Sequence, residues 1–382
     1  MKIGLVTTSF PRGHGDGAGG FVAGHAAYLG ATGATVDVIA AGDPLGDPSG
    51  PPDDHVTRVR APRGLFYAGG APDALEARPR ALAGALGFSA RMLATVARRA
   101  RGWDAACAHW LAPSAIAAAI ATRRIPLLAI AHGGDVHLLD RARLLAPALA
   151  LLDARGAQLA FVSDDLRRRA LDAVPRVLAA RIARRARVQP MGVDDGRAAE
   201  IAAARASRRP RGDDEPADLL VLARLVPIKA VDVAIDALAH LRTPARLVIA
   251  GDGPERARLE AAARPHGERI TFAGWVDADR RDALLVAADA VLVPSAPRPD
   301  GRSEGTPLAA LEALAAGVPV IASAIGGLPE LVAHGARVVP PRDPRALAAA
   351  VDAALAAAAP RPAALGWQTA GAALDHHWRR GA

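Results

Sequence analysis

An α/β fold of two doubly wound, Rossmann-like domains in series is the architecture that this 382-residue sequence predicts. Three observations carry it. Apolar runs of strand length alternate with Ala-rich helical periods, the mark of parallel sheets joined by crossover helices. The pattern occurs twice, and over 195–217 it lapses into Arg, Asp, Gly, Pro and Glu around a short Ala-rich stretch, read as the link. The length suits two domains or one large one, and 51% hydrophobic residues can fill sizeable cores. The expected domains are 1–195 and 196–362, followed by a C-terminal helix over 363–382 that packs back on the first.

In the first half, strands are expected at 2–7, 35–40, 56–60, 105–108, 127–131, 159–162 and around Val188, with helices between them. In the second half they are expected at 219–223, 246–250, 270–272, 290–293, 319–322 and 338–339. A first strand starting at once, with no charged leader, and apolar stretches at 144–152 and 346–359 too short to span a bilayer, favour a soluble, cytoplasmic protein. The one cysteine, Cys107, excludes an intrachain disulfide and a thiolate metal cluster, and in its apolar run it is expected as a buried thiol.

Ligands of doubly wound sheets bind outside the carboxyl ends of the strands, so the residues just after each strand are the candidates. After the first strand, Thr8-Ser9-Phe10-Pro11 leads into Gly13, Gly15, Gly17, Gly19 and Gly20 before an apolar helix from Phe21. Such a loop lets backbone approach a phosphate or sugar, or is a flexible connection; it lacks the dinucleotide spacing. His109 and Trp110 follow another strand, placed to line a cleft or, for Trp110, to pack. His132-Gly133-Gly134-Asp135 follows 127–131, and His132 is either the catalytic histidine or a structural one in a turn. Only His137 stands at ligand spacing from His132, which speaks against a metal.

In the second half, 223–229 puts Arg224 and Lys229 at one strand end, a guanidinium and an ammonium as a diphosphate requires. Lys229 is conspicuous, because Lys2 is the only other lysine among 47 Lys+Arg. Gly251-Asp252-Gly253-Pro254 is a binding loop or a structural turn. Trp275 offers a stacking face to a base, or packs in the core. Over 303–330, Thr306 and Pro307 are expected as N-cap and first residue of a helix that Gly317 and Pro319 stop. Glu304 and Glu312 then flank a helix N-terminus suited to phosphate, with carboxylates for sugar hydroxyls, although any strand-loop-helix unit carries similar punctuation.

Together these motifs resemble the retaining GT-B glycosyltransferases of family 4, of the glycosyltransferase group 1 type, over nearly the whole chain. Glu304 and Glu312 match the family's Glu-x7-Glu pair and Arg224 and Lys229 its diphosphate-binding pair. Gly326-Gly327 and Glu330 match the loop that follows, and His132-Gly133-Gly134-Asp135 matches its His-Gly-x-Asp loop. Ala223 and Ala230 depart from it, standing where the family usually has glycine. The resemblance implies two domains facing a central cleft, and transfer of a hexosyl unit from a nucleoside-diphosphate sugar to a glycolipid, polysaccharide or small glycoside hydroxyl, with retention. It implies that Glu312 binds the ribose, that Arg224, Lys229 and the amides of Leu308 and Ala309 hold the diphosphate, and that Glu304 contacts the sugar. Thr306, Pro307, Gly253 and Trp275 belong to the same donor site, and Gly20 approaches the diphosphate from the other domain. His132, with Asp135 beside it, faces the sugar or acceptor; with Arg224, Lys229 and Glu304 it makes up the catalytic set. No metal or other cofactor is expected.

Residues 1–195 hold 24 Lys+Arg against 17 Asp+Glu and the remainder 23 against 22, so nearly all of the formal net charge of +8 lies in the first half. If that half takes the acceptor, an anionic acceptor or membrane surface is favoured, and the helix over 88–101, with Arg91, Arg98, Arg99 and Arg101 beside Met92, Leu93 and Val96, is suited to lie on a bilayer or is merely a solvated basic face. Aromatic residues at 3%, with no stacking motif or basic tail, argue against nucleic acid. An isomerase or phosphorylase on the same fold, or a non-catalytic nucleotide-sugar binder, are the alternatives.

Overall fold

A computed structural model describes residues 1–13, 16–42, 55–67, 74–75, 80–212 and 215–379; Gly15 of the glycine loop lies outside them. The chain divides into two compact units, one of Met1–Gly192 with Trp367–Ala382 and one of Val193–Gly366.

The first unit is built on a parallel sheet of β1 (Lys2–Val6), β2 (Thr35–Gly42), β3 (Val56–Arg60), β4 (Ala105–His109), β5 (Leu127–Ala131), β6 (Gln158–Phe161) and β7 (Ala186–Val188). Their order is β3-β2-β1-β4-β5-β6-β7. Strands covered on both faces read as unbroken apolar runs, and β4 and β5 are buried at every position. The connecting helices are α1 (Gly20–Ala31), α2 (Ala81–Arg99), α3 (Ile116–Ala121), α4 (Gly134–Arg141), α5 (Leu145–Ala154), α6 (Asp164–Asp172) and α7 (Arg176–Arg185). The order reverses between β1 and β4, which opens a crevice at their carboxyl ends.

Helix α2 corrects one expectation. Phe88, Met92 and Val96, spaced four apart, form one face of the helix and are fully buried, so Met92 and Val96 are spent on the core and are not presented to a bilayer. Arg99 is likewise engaged, pairing with Asp37 at 2.6 Å.

The second unit has β8 (Ala217–Leu222), β9 (Ala245–Ala250), β10 (Ile270–Gly274), β11 (Ala290–Val293), β12 (Val320–Ser323) and β13 (Arg337–Val339), all parallel, in the order β10-β9-β8-β11-β12-β13. Its helices are α8 (Asp195–Ala206), α9 (Val231–Ala237), α10 (Arg256–Ala263), α11 (Ala278–Ala287), α12 (Leu308–Ala315) and α13 (Pro344–Leu355). The reversal here falls between β8 and β11. The polar stretch read as a link is mostly α8, because Asp194 caps it through Arg197 N and Ile201 is buried in the unit's core.

The last helix, α14 (Trp367–Arg379), belongs to the first unit. Trp367 stacks on His25 of α1 at 4.8 Å with an interplanar angle of 2°, and Leu159 O of β6 lies 3.1 Å from His377 Nε2. The chain leaves and re-enters the first unit beside a bridge between Val193 and Gly366, so the boundaries fall at 192/193 and 366/367. Among the described residues no helix is long and apolar enough to cross a membrane.

Candidate functional site

In the second unit the polar residues gather at the β8/β11 switch point. β8 runs into a turn whose one-turn helix, Pro227–Lys229, ends with Ala230 in the left-handed region at φ 43. Ala296 N donates to Ile228 O, tying this turn to the segment after β11. Lys229 Nζ thereby lies 2.8 Å from Glu304 Oε2, and Ser295 Oγ donates to the same oxygen at 3.1 Å. Glu304 Oε1 has no partner among the described residues, so the carboxylate keeps an acceptor for a ligand hydroxyl. Gly326 secures this placement: at φ 52, a Cβ on it would lie 1.8 Å from Glu304 O, and Gly327 N donates to that oxygen.

Helix α12 starts one residue later than expected. Pro307, extended at ψ 131, takes the N-cap position, and Leu308 is the first helical residue; Thr306 lies outside and no side chain caps the helix. The amides of Ala310 and Leu311 bond to Pro307 O, whereas those of Leu308 and Ala309 find no acceptor among the described residues. Two free N–H groups and the positive end of the helix dipole are thus presented four residues after Glu304. On α12, Glu312 Oε1 pairs with Arg281 Nη1 at 2.9 Å. Burial raises the Glu312 carboxyl above its ordinary value; Arg281 and Arg197 oppose this, and Asp282 adds to it.

Arg224 is exposed just past β8. Gly253 lets the turn after β9 approach Leu225, whose carbonyl oxygen would stand 2.4 Å from a Cβ. Trp275 is 67% exposed just past β10, which settles the choice left open for it: the indole is not a core residue.

In the first unit the strand-end histidine has company. His25 Nδ1 lies 2.9 Å from His109 Nε2, and His109 Nδ1 lies 3.0 Å from His132 Nε2. Phe21 and Trp110 pack against His132. Burial pushes His25 down to about 4 and His132 to about 3, with His25 adding to the second, and drives His109 well below its usual value. Near neutrality all three rings are uncharged, and His132 Nδ1 has no hydrogen-bond partner among the described residues. His109, expected to line a cleft, is fully buried. Asp135, expected on the sugar or acceptor side, turns inward: it accepts from Leu111 N at 2.6 Å, His132 N at 3.1 Å and Gly133 N at 3.0 Å, and so shapes the loop. Gly20 is exposed at the first turn of α1, with open space where a Cβ would stand. His25, Cys107 and His109 bring donor atoms within 4.8 Å of one another, but the facing imidazole nitrogens already bond each other.

Ser295, Arg281 and His25 are not among the candidates expected from the sequence. Ser295 stands just past β11, where the strand-end rule points to it; Arg281 is one of 45 arginines, and His25 sits inside a helix where nothing marks it.

Comparison with known proteins fits the second unit most closely. Residues 216–357 match the family model described as Glycosyl transferases group 1. The chain is 43% identical over 157 residues to a glycogen synthase of Mycobacterium tuberculosis, covering 39% of this chain and 36% of the relative. It is 41% identical over 152 residues to a GDP-mannose-dependent alpha-(1-6)-phosphatidylinositol monomannoside mannosyltransferase of the same organism, covering 38% and 40%. The chain thus spans less than half the length of these curated relatives. Anabaena HepE, solved in complex with UDP-glucose, superposes with a TM-score of 0.63 at 20% identity over 99% of this chain and 95% of that one, a likeness of fold.

Proposed function

From a chain that has the GT-B fold and whose residues 216–357 belong to the group 1 glycosyl transferases, we propose a glycosyltransferase that moves a hexosyl unit from a nucleoside-diphosphate sugar to an acceptor hydroxyl, with retention at the anomeric carbon. One observation carries it: the uncapped start of α12, with Glu304 held by Lys229 just before it and Glu312 within it, at the switch point of the sheet. The free amides of Leu308 and Ala309, with Lys229 and Arg224, stabilise the diphosphate as negative charge develops on it, so the leaving group needs no metal ion. Glu312 takes the ribose hydroxyls and Glu304 Oε1 a hydroxyl of the sugar. Trp275 offers its exposed face to the base. His132, an uncharged imidazole, acts at the sugar or acceptor, and the basic balance of residues 1–195 favours an anionic acceptor.

A panel of nucleotide-sugars, varying base and hexose separately, tests the donor by thermal shift, because a ligand of the folded state raises the melting temperature. At least one nucleoside-diphosphate sugar should raise it by several degrees, and the anomeric configuration of the transfer product, read by NMR, should match the donor's. A panel in which none shifts the melting temperature rules the reading out.

A further inference from the structure

We propose that His25 and His109 are positioning residues for His132, joining the three imidazoles into one unit whose tautomers switch together. The proposal rests on His132 being the group that meets the sugar or acceptor. His25 comes from α1, His109 from the end of β4 and His132 from the loop after β5, and the two N···N contacts of 2.9 and 3.0 Å run through His109 in the middle.

A contact between two imidazole nitrogens is satisfied by one proton, neither none nor two. With three uncharged rings, two arrangements satisfy both contacts. In the first, His132 Nε2–H donates to His109 Nδ1 and His109 Nε2–H donates to His25 Nδ1. His132 Nδ1 is then bare and accepts a hydrogen bond from a ligand. In the second, His25 Nδ1–H donates to His109 Nε2, His109 Nδ1–H donates to His132 Nε2, and His132 Nδ1–H is a donor. Any mixed arrangement leaves two protons or two lone pairs facing each other in a buried site, which costs at least the worth of the lost hydrogen bond. What His132 shows a ligand is therefore set together with the state of His25, a ring that hydrogen-bonds to His109 and not to His132. If His132 Nδ1 takes a proton from a hydroxyl, its Nε2 proton moves to His109 Nδ1 and the Nε2 proton of His109 moves to His25 Nδ1. The positive charge then rests on His25, where the indole of Trp367, stacked flat on the ring, offsets part of the burial cost that otherwise keeps His25 uncharged.

The surroundings add few competing charges. Asp135, from α4, is engaged by three backbone amides, and Cys107, on the same face of β4 as His109, is a buried thiol whose pKa burial raises far above its usual range, with Asp375 of α14 adding to this. Phe21, Trp110 and Trp367, whose rings pack against the three imidazoles, do not titrate.

Ring 15N spectra of histidine-labelled protein, wild type against His25→Phe and His25→Met, read the tautomer of His132 directly. Phenylalanine keeps a flat ring on Trp367, and the second variant preserves the test should one not fold. Removing the nitrogens of His25 costs both arrangements one hydrogen bond, but it strands a His109 Nε2–H donor in the first and only a lone pair in the second. A buried N–H without an acceptor is the less tolerated, so the Nδ1–H to Nε2–H ratio at His132 is expected to rise, by up to roughly fivefold. His25→Gln, which keeps a donor and an acceptor towards His109, is expected to restore the wild-type ratio, and with His109→Phe a change at His25 should no longer reach His132. An unchanged ratio in His25→Phe and His25→Met overturns the proposal, as does a shift that persists with His109→Phe. In transfer assays kcat should fall in His25→Phe with KM for the nucleotide-sugar unchanged. Absence of transfer by the wild type would count against the functional reading and leave the tautomer measurement intact.

Discussion

His25 and His132 are held uncharged by burial, with pKa values of about 4 and about 3 against 6.5 for an ordinary histidine. Between those values the unfolded chain binds more protons than the folded one, so stability is fully present above about pH 6.5 and declines as the pH falls towards 4. The His25 shift alone is worth about 3 kcal/mol over that range. Thermal melts from pH 7 to pH 4.5 should show a falling Tm, and His25→Phe should flatten that fall; equal acid sensitivity of variant and wild type would contradict the buried, neutral ring. At this scale the sequence showed what stands at strand ends, namely His132, Arg224 and Lys229. It could not show His25 or Arg281, because a residue in mid-helix acquires its role only from partners distant in the chain, and the Arg-rich composition hides one guanidinium among many.

The elements that carry the second site depend on backbone conformation. Gly326 at φ 52 sits where a Cβ would meet Glu304 O at 1.8 Å, so Gly326→Ala should lower stability by about 1–3 kcal/mol and displace Glu304. Calorimetry should then show weaker binding of the nucleotide-sugar than of the free nucleoside diphosphate, since Glu304 is the residue assigned to the sugar. Ala230 presents the opposite case, an alanine in the left-handed region beside Lys229. Ala230→Gly removes about 1–2 kcal/mol of backbone strain, offset by about 0.4–1 kcal/mol of added unfolded-state entropy and by a lost buried methyl. Its unfolding free energy should stay within about 1 kcal/mol of wild type, unlike an ordinary buried Ala→Gly change. Strands were legible in the sequence because parallel strands covered on both faces are continuously apolar. The start of α12 was misplaced by a residue because Thr306-Pro307 has the side chains of a cap, and only the extended ψ of Pro307 shows that the helix begins after it.

For the whole molecule, the division into two units was visible where the strand pattern lapsed, but the crossing points were not, because α8 is polar on its open side and reads as a linker. The return of the chain through Trp367 implies that truncation after Gly366 strips α14 from α1 and exposes His25 and Tyr28. Such a chain should melt with its first unit several degrees lower, while the second keeps its affinity for nucleotide. The central claim is that the second unit binds a nucleoside diphosphate between Lys229, Arg224, the start of α12 and Glu312. Isothermal calorimetry with the free nucleoside diphosphates, on the full chain and on Lys229→Ala, Arg224→Ala, Glu312→Ala and His132→Ala, tests it most directly. The first three substitutions should each weaken binding at least tenfold, about 1.4 kcal/mol, and His132→Ala should leave it unchanged. Equal affinity in Lys229→Ala, Arg224→Ala, Glu312→Ala and the wild type would contradict the site.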